Sequence, residues 1–243
     1  MNLQKLLSYT RQAVNDYNMI KDGDKIAVGI SGGKDSLCLL AALSEMRRFF
    51  PYKYELEAIT VSLGFNETDY SGVKSFCDKL GVNYTVVETQ IGRIIFDERK
   101  EENPCSLCAK MRKGALNNAA EELGCNKIAL GHNKNDVIET FLMSLIFEGR
   151  ISCFSPVSFL EKKKLYSIRP LIYVSEYETK SYADSLGSII VKNPCPADGS
   201  TKRQEIKELL KTLNKTYPNL NQRIFGAVTR SLDDWKRGGV NGR

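Results

Sequence analysis

The 243-residue sequence contains no apolar run that approaches the roughly 18 consecutive residues of a membrane-spanning helix. Its first 20 residues show the spacing of an amphipathic helix, with Leu3, Leu6, Leu7 and Val14 on one side, and not the pattern of a signal peptide. Internal repeats and low-complexity segments are also absent. These absences predict a cytoplasmic protein without a membrane partner, built as one large or two small domains.

Cysteine is absent from the first 30 residues and from the last 40, and the seven cysteines are odd in number. This usage does not suit a secreted disulfide scaffold and favours thiols that bind metal, take part in redox chemistry or pack in the core. Cys105 and Cys108 form a C-x-x-C pair at the start of a predicted helix, whose dipole is expected to lower the pKa of Cys108. Cys195 stands between two prolines. Spacing alone leaves open an iron–sulfur cluster, a zinc site with an exogenous ligand, a redox pair or structural thiols.

Negative charge is scarce in the last part of the chain. Residues 200–243 hold ten Lys or Arg against four Asp or Glu, and this excess equals the net charge of +6 of the whole protein. The segment predicts a helix in which Lys207, Lys211 and Lys215 form a row opposite an apolar stripe. Such a row suits RNA phosphates, although an ordinary solvated helix face has the same pattern.

Two common nucleotide-binding motifs are missing, since the sequence contains neither the Walker A pattern nor G-x-G-x-x-G around its glycine-rich loop. The segment 29–36 instead has the sequence Gly-Ile-Ser-Gly-Gly-Lys-Asp-Ser, between an apolar stretch that predicts a strand and a stretch with helical spacing. Glycines let backbone N–H groups approach an anion, and the helix start presents its positive dipole end there. We therefore expect the loop to hold a pyrophosphate.

Apolar runs alternate with helical patterns along the chain, which predicts an α/β fold with parallel strands. The predicted strands are 25–30, 56–61, 84–88 and 127–131, and the predicted helices are 37–50, 70–80 and 110–123. A hairpin of 154–160 and 165–168, a helix at 176–186 and a strand at 188–191 follow. Ligands bind at the carboxyl ends of such strands, where residues 31–36 and Gly131-His132 should meet.

The loop Ser31-Gly32-Gly33-Lys34-Asp35-Ser36 resembles the PP-loop of N-type ATP pyrophosphatases. Further matching segments are Cys105-Ser-Leu-Cys108-Ala-Lys-Met-Arg112, residues 130–136 around Gly131-His132, Arg169-Pro170-Leu171, and Cys195. In this order and spacing they resemble the TtcA/TtuA family of tRNA thiolation enzymes over nearly the whole chain. The likeness is closer to the cytidine branch, because members of the uridine branch carry paired-cysteine zinc modules near both termini.

The resemblance implies a Rossmann-like, doubly wound parallel sheet of the PP-loop (HUP-like) type. Residues 1–195 would form this ATP pyrophosphatase domain, and residues 196–243 a basic helical extension that contacts tRNA. It further implies a homodimer, a 4Fe-4S cluster on Cys105, Cys108 and Cys195, and ATP with magnesium at the loop. The implied reaction adenylates the C2 oxygen of cytidine 32 in tRNA and replaces it with sulfur from a cysteine desulfurase or another donor.

Roles for individual residues follow from this resemblance. ATP would be bound by Ser31, Gly32, Gly33, Lys34, Asp35, Ser36, Gly131 and His132. Asp35 and Asp136 are the carboxylates expected to bind magnesium or to handle protons. Arg112, one helical turn after Cys108, is expected to orient the base or the adenylate. These three residues and the three cysteines are the predicted catalytic groups.

The sequence departs from the family pattern at two places. Asp198 stands where some relatives have a second late cysteine, and His132-Asn133 stands where many have two histidines, so that His132 is the only imidazole. Because of the second departure, the resemblance does not separate cytidine from uridine as the base that is thiolated. Three alternatives therefore stay open, namely a tRNA 2-thiouridine synthetase of the TtuA type, a cluster-free PP-loop tRNA ligase, and a non-catalytic RNA-binding protein that senses metal or redox state.

Overall fold

The computed structural model describes residues 2–65, 68–99, 104–186, 191, 195 and 201–236. Helices and strands alternate through its first part. In chain order these elements are α1 (Leu3–Asp16), β1 (Asp24–Gly29), α2 (Lys34–Met46), β2 (Tyr54–Ser62), α3 (Ser71–Lys79) and β3 (Asn83–Glu88).

A short helix, α4 (Ile91–Arg93), continues into a π-helix (Ile94–Glu98) and opens the second part of the chain. The elements that follow are α5 (Pro104–Glu122), β4 (Lys127–Ala129), α6 (Lys134–Glu148), β5 (Val157–Leu160), β6 (Leu165–Ile168), α7 (Glu176–Ala183), α8 (Lys202–Thr216) and α9 (Leu220–Ser231). A short 3₁₀ turn (Asp233–Trp235) ends the described chain. Among the helices of the described residues, none is long and apolar enough to cross a membrane.

The six strands of the described residues form one sheet in the order β3-β2-β1-β4-β6-β5. All neighbours are parallel except β5, which pairs antiparallel with β6 at the edge. Val28 of β1 is in register with Ala129 of β4, which in turn is in register with Ile168 of β6. The predicted parallel α/β sheet is confirmed, and three carboxyl ends meet at one edge.

Side chains of β1 alternate between the two faces of the sheet, so the strand belongs to two cores. Ile26 and Val28 join a large cluster with α1, α2, α3 and α7, whereas Ala27 joins a smaller one with Ala119 and Ala120 of α5. Both faces of the sheet are thus covered by helices, as in doubly wound folds.

The structure differs from the predicted elements mainly at their ends. Helix α2 begins at Lys34 and not at residue 37, because Gly33 takes the extended N-cap conformation directly after the loop. The first hairpin strand begins at Val157 and not at 154. Residues 188–190 of the last predicted strand lie outside the described residues, and Val191 is not part of a strand.

The C-terminal helices pack onto the rest of the protein. Ile206 and Leu210 of α8 contact Ile138 of α6 in one apolar cluster. Trp235 is fully buried, and its ring NH donates to the carbonyl of Phe154 at 3.1 Å. The domain boundary at residue 195 stays a prediction, and the packing shows that this extension shares the apolar core.

A buried ion pair joins β1 to β4. The Lys127 ammonium donates to Asp24 Oδ2 at 2.6 Å and to the Met19 carbonyl, and the two charged side chains are 6% and 5% exposed. Asn126 donates to the other oxygen of Asp24 at 2.8 Å. The carboxylate therefore has donors on both oxygens, which a buried charge requires.

We expect Lys127→Met to lower the free energy of unfolding by ~3–5 kcal/mol, because it leaves the Asp24 carboxylate buried without its cation. The matched control is Lys163→Met, since Lys163 pairs with Glu121 at 2.6 Å on the surface. Its cost should stay within ~1 kcal/mol. Urea unfolding of both variants measures the difference, and equal costs would contradict the prediction.

Candidate functional site

Two serines shape the loop between β1 and α2. Ser36 Oγ donates to the carbonyl of Gly33 at 2.8 Å and accepts from the N–H of Ser31 at 3.2 Å. Gly33 is the N-cap of α2 and provides no side-chain cap. The first N–H groups of this helix, with its dipole, therefore suit a phosphate group.

Two of the predicted ATP-binding glycines stand where a side chain would collide. Gly32 has a φ of +77°, and an added Cβ would lie 2.7 Å from the Cβ of Val191, whose N–H donates to the Gly32 carbonyl. At Gly131 an added Cβ would lie 3.0 Å from the backbone of Asp35. The close packing of these backbones explains why glycine occupies both positions.

Lys34 of the loop is held between two carboxylates. Its ammonium donates to Asp35 Oδ2 at 2.8 Å and to Glu176 Oε1 at 3.2 Å. Burial lowers the pKa of Lys34, but the hydrogen bonds and charges of Asp35 and Glu176 outweigh it and leave the pKa above its ordinary value. Lys34 is therefore a cation at neutral pH, close to the predicted phosphate position.

Asn133 connects the loop to α6. Its side chain caps α6 by accepting from the N–H groups of Asn135 and Asp136, and it donates to Asp35 Oδ1 at 3.2 Å. Asp136 completes the capping box with one carboxylate oxygen, and its other oxygen accepts from Arg203 of α8 at 3.2 Å. Burial raises the pKa of Asp136 above its ordinary value, against the opposing effect of the Asn133 N–H.

Helix α8 supplies two cations that pair with the carboxylates near the loop. Arg203 also donates to Glu139, whose side chain is 2% exposed, and Lys207 donates to the same Glu176 oxygen that accepts from Lys34. Lys211 and Lys215, in contrast, are exposed. RNA binding by these three lysines stays a prediction, and at Lys207 a phosphate would compete with the carboxylates of Glu139 and Glu176.

A cleft of about 460 Å³ opens beside the loop. The loop side of the cleft is lined by Ser31, Asp35 and Ser36, and α5 contributes Arg112 and Lys113. Ile59, Val61 and Leu116 make one part apolar, while Gly131, His132, Ser167 and Arg169 lie at the ends of β4 and β6. The volume and the mixed lining suit a nucleotide-sized ligand. Asp136 is not part of this lining.

His132 lies in the wall of the cleft as a neutral ring. Burial lowers its pKa to about 3, and the charges of Arg169 and Arg203 contribute in the same direction. The ring packs on Phe154 with 4.8 Å between the ring centroids. His132 can therefore bind a ligand as a neutral group, but it cannot supply a proton near neutral pH.

Cys108 lies within electrostatic reach of the other two predicted cluster ligands, Cys105 and Cys195. Cys105 is exposed, while Cys108 and Cys195 are half-buried. Burial raises the pKa of Cys108, the neighbouring Cys195 and Cys105 raise it further, and Arg112 lowers it. The predicted lowering of this pKa by the helix dipole is therefore wrong, because burial and the two thiols outweigh Arg112.

Three thiols near a cation are the type of donor set that an iron–sulfur cluster with one open iron takes. Within the ranges that the structure covers, no group of three or more His, Cys, Asp or Glu is arranged to hold a single metal ion. The two observations agree, because the thiolates of a four-iron cluster bind different iron atoms. For magnesium, one or two carboxylates beside the phosphates of a nucleotide suffice. Asp35 lines the cleft, and its two oxygens accept from Lys34 and Asn133.

Sequence reasoning missed several residues of the site. Asn133 has a signal in the sequence, because an Asn three residues before an acidic residue is a capping-box pattern. Arg203, Glu139 and Glu176 have none, since their partners lie on other elements. Arg169 was noted only as part of a motif, without a role.

Comparisons with known proteins point to one family. A family model described as a PP-loop domain matches residues 4–213. The tRNA-cytidine(32) 2-sulfurtransferase of Pelobacter propionicus is 38% identical over 221 residues, which cover 90% of this chain and 82% of that protein. The enzyme of the same name from Dichelobacter nodosus is 36% identical over 231 residues, 94% of this chain and 86% of that protein.

A solved structure has the same fold. The U34-tRNA thiolase NcsA from Methanococcus maripaludis with its [4Fe-4S] cluster aligns with a TM-score of 0.74 and 27% sequence identity. The alignment covers 93% of this chain and 77% of that one. The likeness extends over nearly the whole described fold.

We expect Gly32→Ala to lower the free energy of unfolding by ~2–5 kcal/mol, because the new methyl group combines an unfavourable positive φ with overlap on Val191. Gly124→Ala is the matched control, since Gly124 has a φ of +70° and nothing within 4 Å of an added Cβ. Its cost should be only ~1–2 kcal/mol. Thermal or urea unfolding measures both, and equal costs would show that Val191 does not constrain the loop.

The only histidine gives a direct pH test. In the folded protein, the proton NMR signal of the His132 ring should not shift between about pH 8 and pH 5, whereas in urea it should titrate near 6.5. The unfolded state then binds the proton more tightly, so the His132 contribution to stability is lost as the pH falls from about 6.5 towards 3. A midpoint near 6.5 in the folded protein would contradict this burial.

Proposed function

Because this chain belongs to the PP-loop family of tRNA sulfurtransferases, we propose that it uses ATP to replace the C2 oxygen of cytidine 32 in tRNA with sulfur. One observation carries the proposal. The cleft that holds Ser31, Asp35 and Ser36 of the loop is also lined by Arg112, which lies beside Cys108. The loop 31–36 and the helix that carries Cys105 and Cys108 thus border one substrate-sized pocket.

The first step activates the oxygen, since a carbonyl oxygen is a poor leaving group. The C2 oxygen attacks the α-phosphorus of ATP, a new P–O bond forms, and the bond to the pyrophosphate breaks. Lys34 and the N–H groups at the start of α2 stabilise the departing pyrophosphate. The base then carries AMP on its C2 oxygen.

The second step transfers the sulfur. Sulfide attacks C2, the C2–O bond breaks, and the oxygen leaves within AMP. No electrons are gained or lost when the donor supplies sulfur as sulfide. A donor that carries sulfur as a persulfide, as a cysteine desulfurase does, releases it as sulfide only with two electrons from a thiol reductant. Cys105, Cys108 and Cys195 would hold a 4Fe-4S cluster, which would supply an open iron site for sulfur. Arg112 orients the adenylated base.

Magnesium and protons are handled by the carboxylates near the loop. Asp35 lines the cleft, and we propose that it binds magnesium together with the phosphates of ATP. Asp136 is engaged by Asn133 and Arg203, so in this proposal it aligns Asn133 and acts on the loop through it. Gly131 and His132 line the cleft next to the loop and bind ATP in this proposal.

The proposed enzyme is a cytoplasmic homodimer that binds tRNA through its C-terminal extension. Lys211 and Lys215 are exposed on α8 and are free to meet phosphates. A second candidate is a tRNA 2-thiouridine synthetase, which is favoured by the likeness of the fold to a U34-tRNA thiolase. The two candidates share the chemistry and differ in the base.

Nucleoside mass spectrometry tests the proposal. When the gene is expressed without oxygen in a host whose tRNA lacks 2-thiocytidine, we expect 2-thiocytidine to appear, and Cys105→Ala, Cys108→Ala or Cys195→Ala to reduce it more than ~100-fold. Cys77→Ala is the matched control, because Cys77 is fully buried in the apolar core. It should leave the modification in place.

The other outcomes separate the alternatives. A thiolated uridine would move the protein to the uridine branch. Activity that survives all three cysteine substitutions would favour a cluster-free PP-loop ligase. No release of pyrophosphate in the presence of ATP and tRNA would favour a non-catalytic RNA-binding protein.

A further inference from the structure

Three residues that line the cleft each have a buried polar atom without a partner. These atoms are His132 Nδ1, Ser167 Oγ and Arg169 Nε, and they are the buried side-chain nitrogens and oxygens that lack a hydrogen bond among the described residues. All three residues line the same cleft. Since a buried polar group without a partner costs about 1–3 kcal/mol, their concentration in one wall indicates a ligand position.

Arg169 makes this wall positively charged. Its residue exposure is 7%, and its Nη1 donates to two neutral acceptors, the Ser155 carbonyl and Ser158 Oγ. Its guanidinium packs on the ring of Phe154 at 4.9 Å. In the part of the chain that is described, no carboxylate pairs with it. A buried cation without a counterion favours an anionic ligand over a neutral one.

The position of the wall restricts which anion it receives. Ser31 follows β1, His132 follows β4 and Arg169 follows β6, three neighbouring parallel strands. The loop after β1 is the expected cradle of the pyrophosphate, and the apolar part of the cleft, with Ile59, Val61 and Leu116, suits a heterocyclic ring. The α-phosphoryl group joins the pyrophosphate to the nucleoside and therefore lies beside the loop after β1. In the strand order β2-β1-β4-β6 the wall is next to this loop, on the side away from Ile59 and Val61 of β2.

We propose that Arg169, with Ser167 and His132, binds the α-phosphoryl group of ATP and of the adenylate formed from it. This inference rests on the proposed function. It adds the residues that hold the α-phosphoryl group while the adenylyl group is transferred to the base. The guanidinium supplies the missing counterion, and the neutral imidazole and the hydroxyl complete the set of polar contacts. A wall that binds this group throughout both steps retains the adenylate until C2 is attacked.

Binding of three ligands to the purified full chain tests the proposal. We expect Arg169→Lys to weaken binding of AMP by about 30-fold or more, the fold-change that matches ~2 kcal/mol for a buried charged contact. Binding of inorganic pyrophosphate and of adenosine should change less than about threefold, because neither contains the α-phosphoryl group. Isothermal titration calorimetry measures all three ligands.

The matched control is Arg47→Lys. Arg47 also donates from a partly buried position to neutral acceptors, Ser44 Oγ and the Leu80 carbonyl, but it lies outside the cleft. It should leave the affinities for AMP, pyrophosphate and adenosine unchanged. Equal losses of AMP and adenosine in Arg169→Lys would show that the wall binds the nucleoside and would overturn the proposal, as would a loss confined to pyrophosphate.

Ser167→Ala provides a readout that a structural role does not produce. Because the hydroxyl is buried and lacks a partner, its removal should raise the unfolding temperature of the ligand-free protein while it weakens AMP binding about 5- to 10-fold, as expected for one hydrogen bond. A loss of stability together with unchanged AMP binding would assign Ser167 to the fold and contradict the proposal.

The failure of this inference is distinguishable from the failure of the proposed function. If the unmodified protein binds neither ATP nor pyrophosphate and thiolates no tRNA, the proposed function is wrong, and the inference falls with it. If it thiolates tRNA and Arg169→Lys keeps the AMP affinity of the parent protein, only the role of Arg169 is wrong.

Discussion

The site depends on one constraint, which is the parallel direction of β1, β4 and β6. Because these neighbours run the same way, their carboxyl ends meet at one edge of the sheet. The residues that follow them, Ser31, His132 and Arg169, therefore share a cleft although the chain separates the first from the last by more than half its length. An antiparallel β4 or β6 would bring these residues to the opposite edge, and the wall would not lie next to the loop.

Ion pairs also connect helix α8 to the loop 31–36. Glu176 accepts from Lys34 of the loop and from Lys207 of α8 with the same oxygen, and Arg203 of α8 joins Asp136 to Glu139. Part of the positive charge of this extension thus neutralises acidic groups near the nucleotide loop and is not free for RNA. The exposed Lys211 and Lys215 remain for the proposed contact with RNA.

The cleft shows a balance between stability and function. Arg169 is buried with no carboxylate partner among the described residues, and the buried hydroxyl of Ser167 lacks a hydrogen bond there. Both groups cost the ligand-free protein stability, and in the inference above they are the groups that bind an anionic ligand. The well-satisfied pair of Asp24 and Lys127, in contrast, lies away from the cleft lining and holds the strands that carry it.

Features that depend on neighbours along the chain could be predicted from the sequence. The alternation of strands and helices, the loop 31–36 and the placement of Cys108 and Arg112 on one helix follow from local patterns, because periodicity and helix geometry act over a few residues. The pKa direction of Cys108 was predicted wrongly, and the partners of Arg203, Lys207 and Arg169 were not foreseen. Those properties depend on burial and on contacts between distant segments. The sequence by itself thus determined the elements and their motifs, whereas only the tertiary structure decided which charges are paired, which are buried and which face the cleft, because desolvation and long-range contacts exist only once the chain has packed.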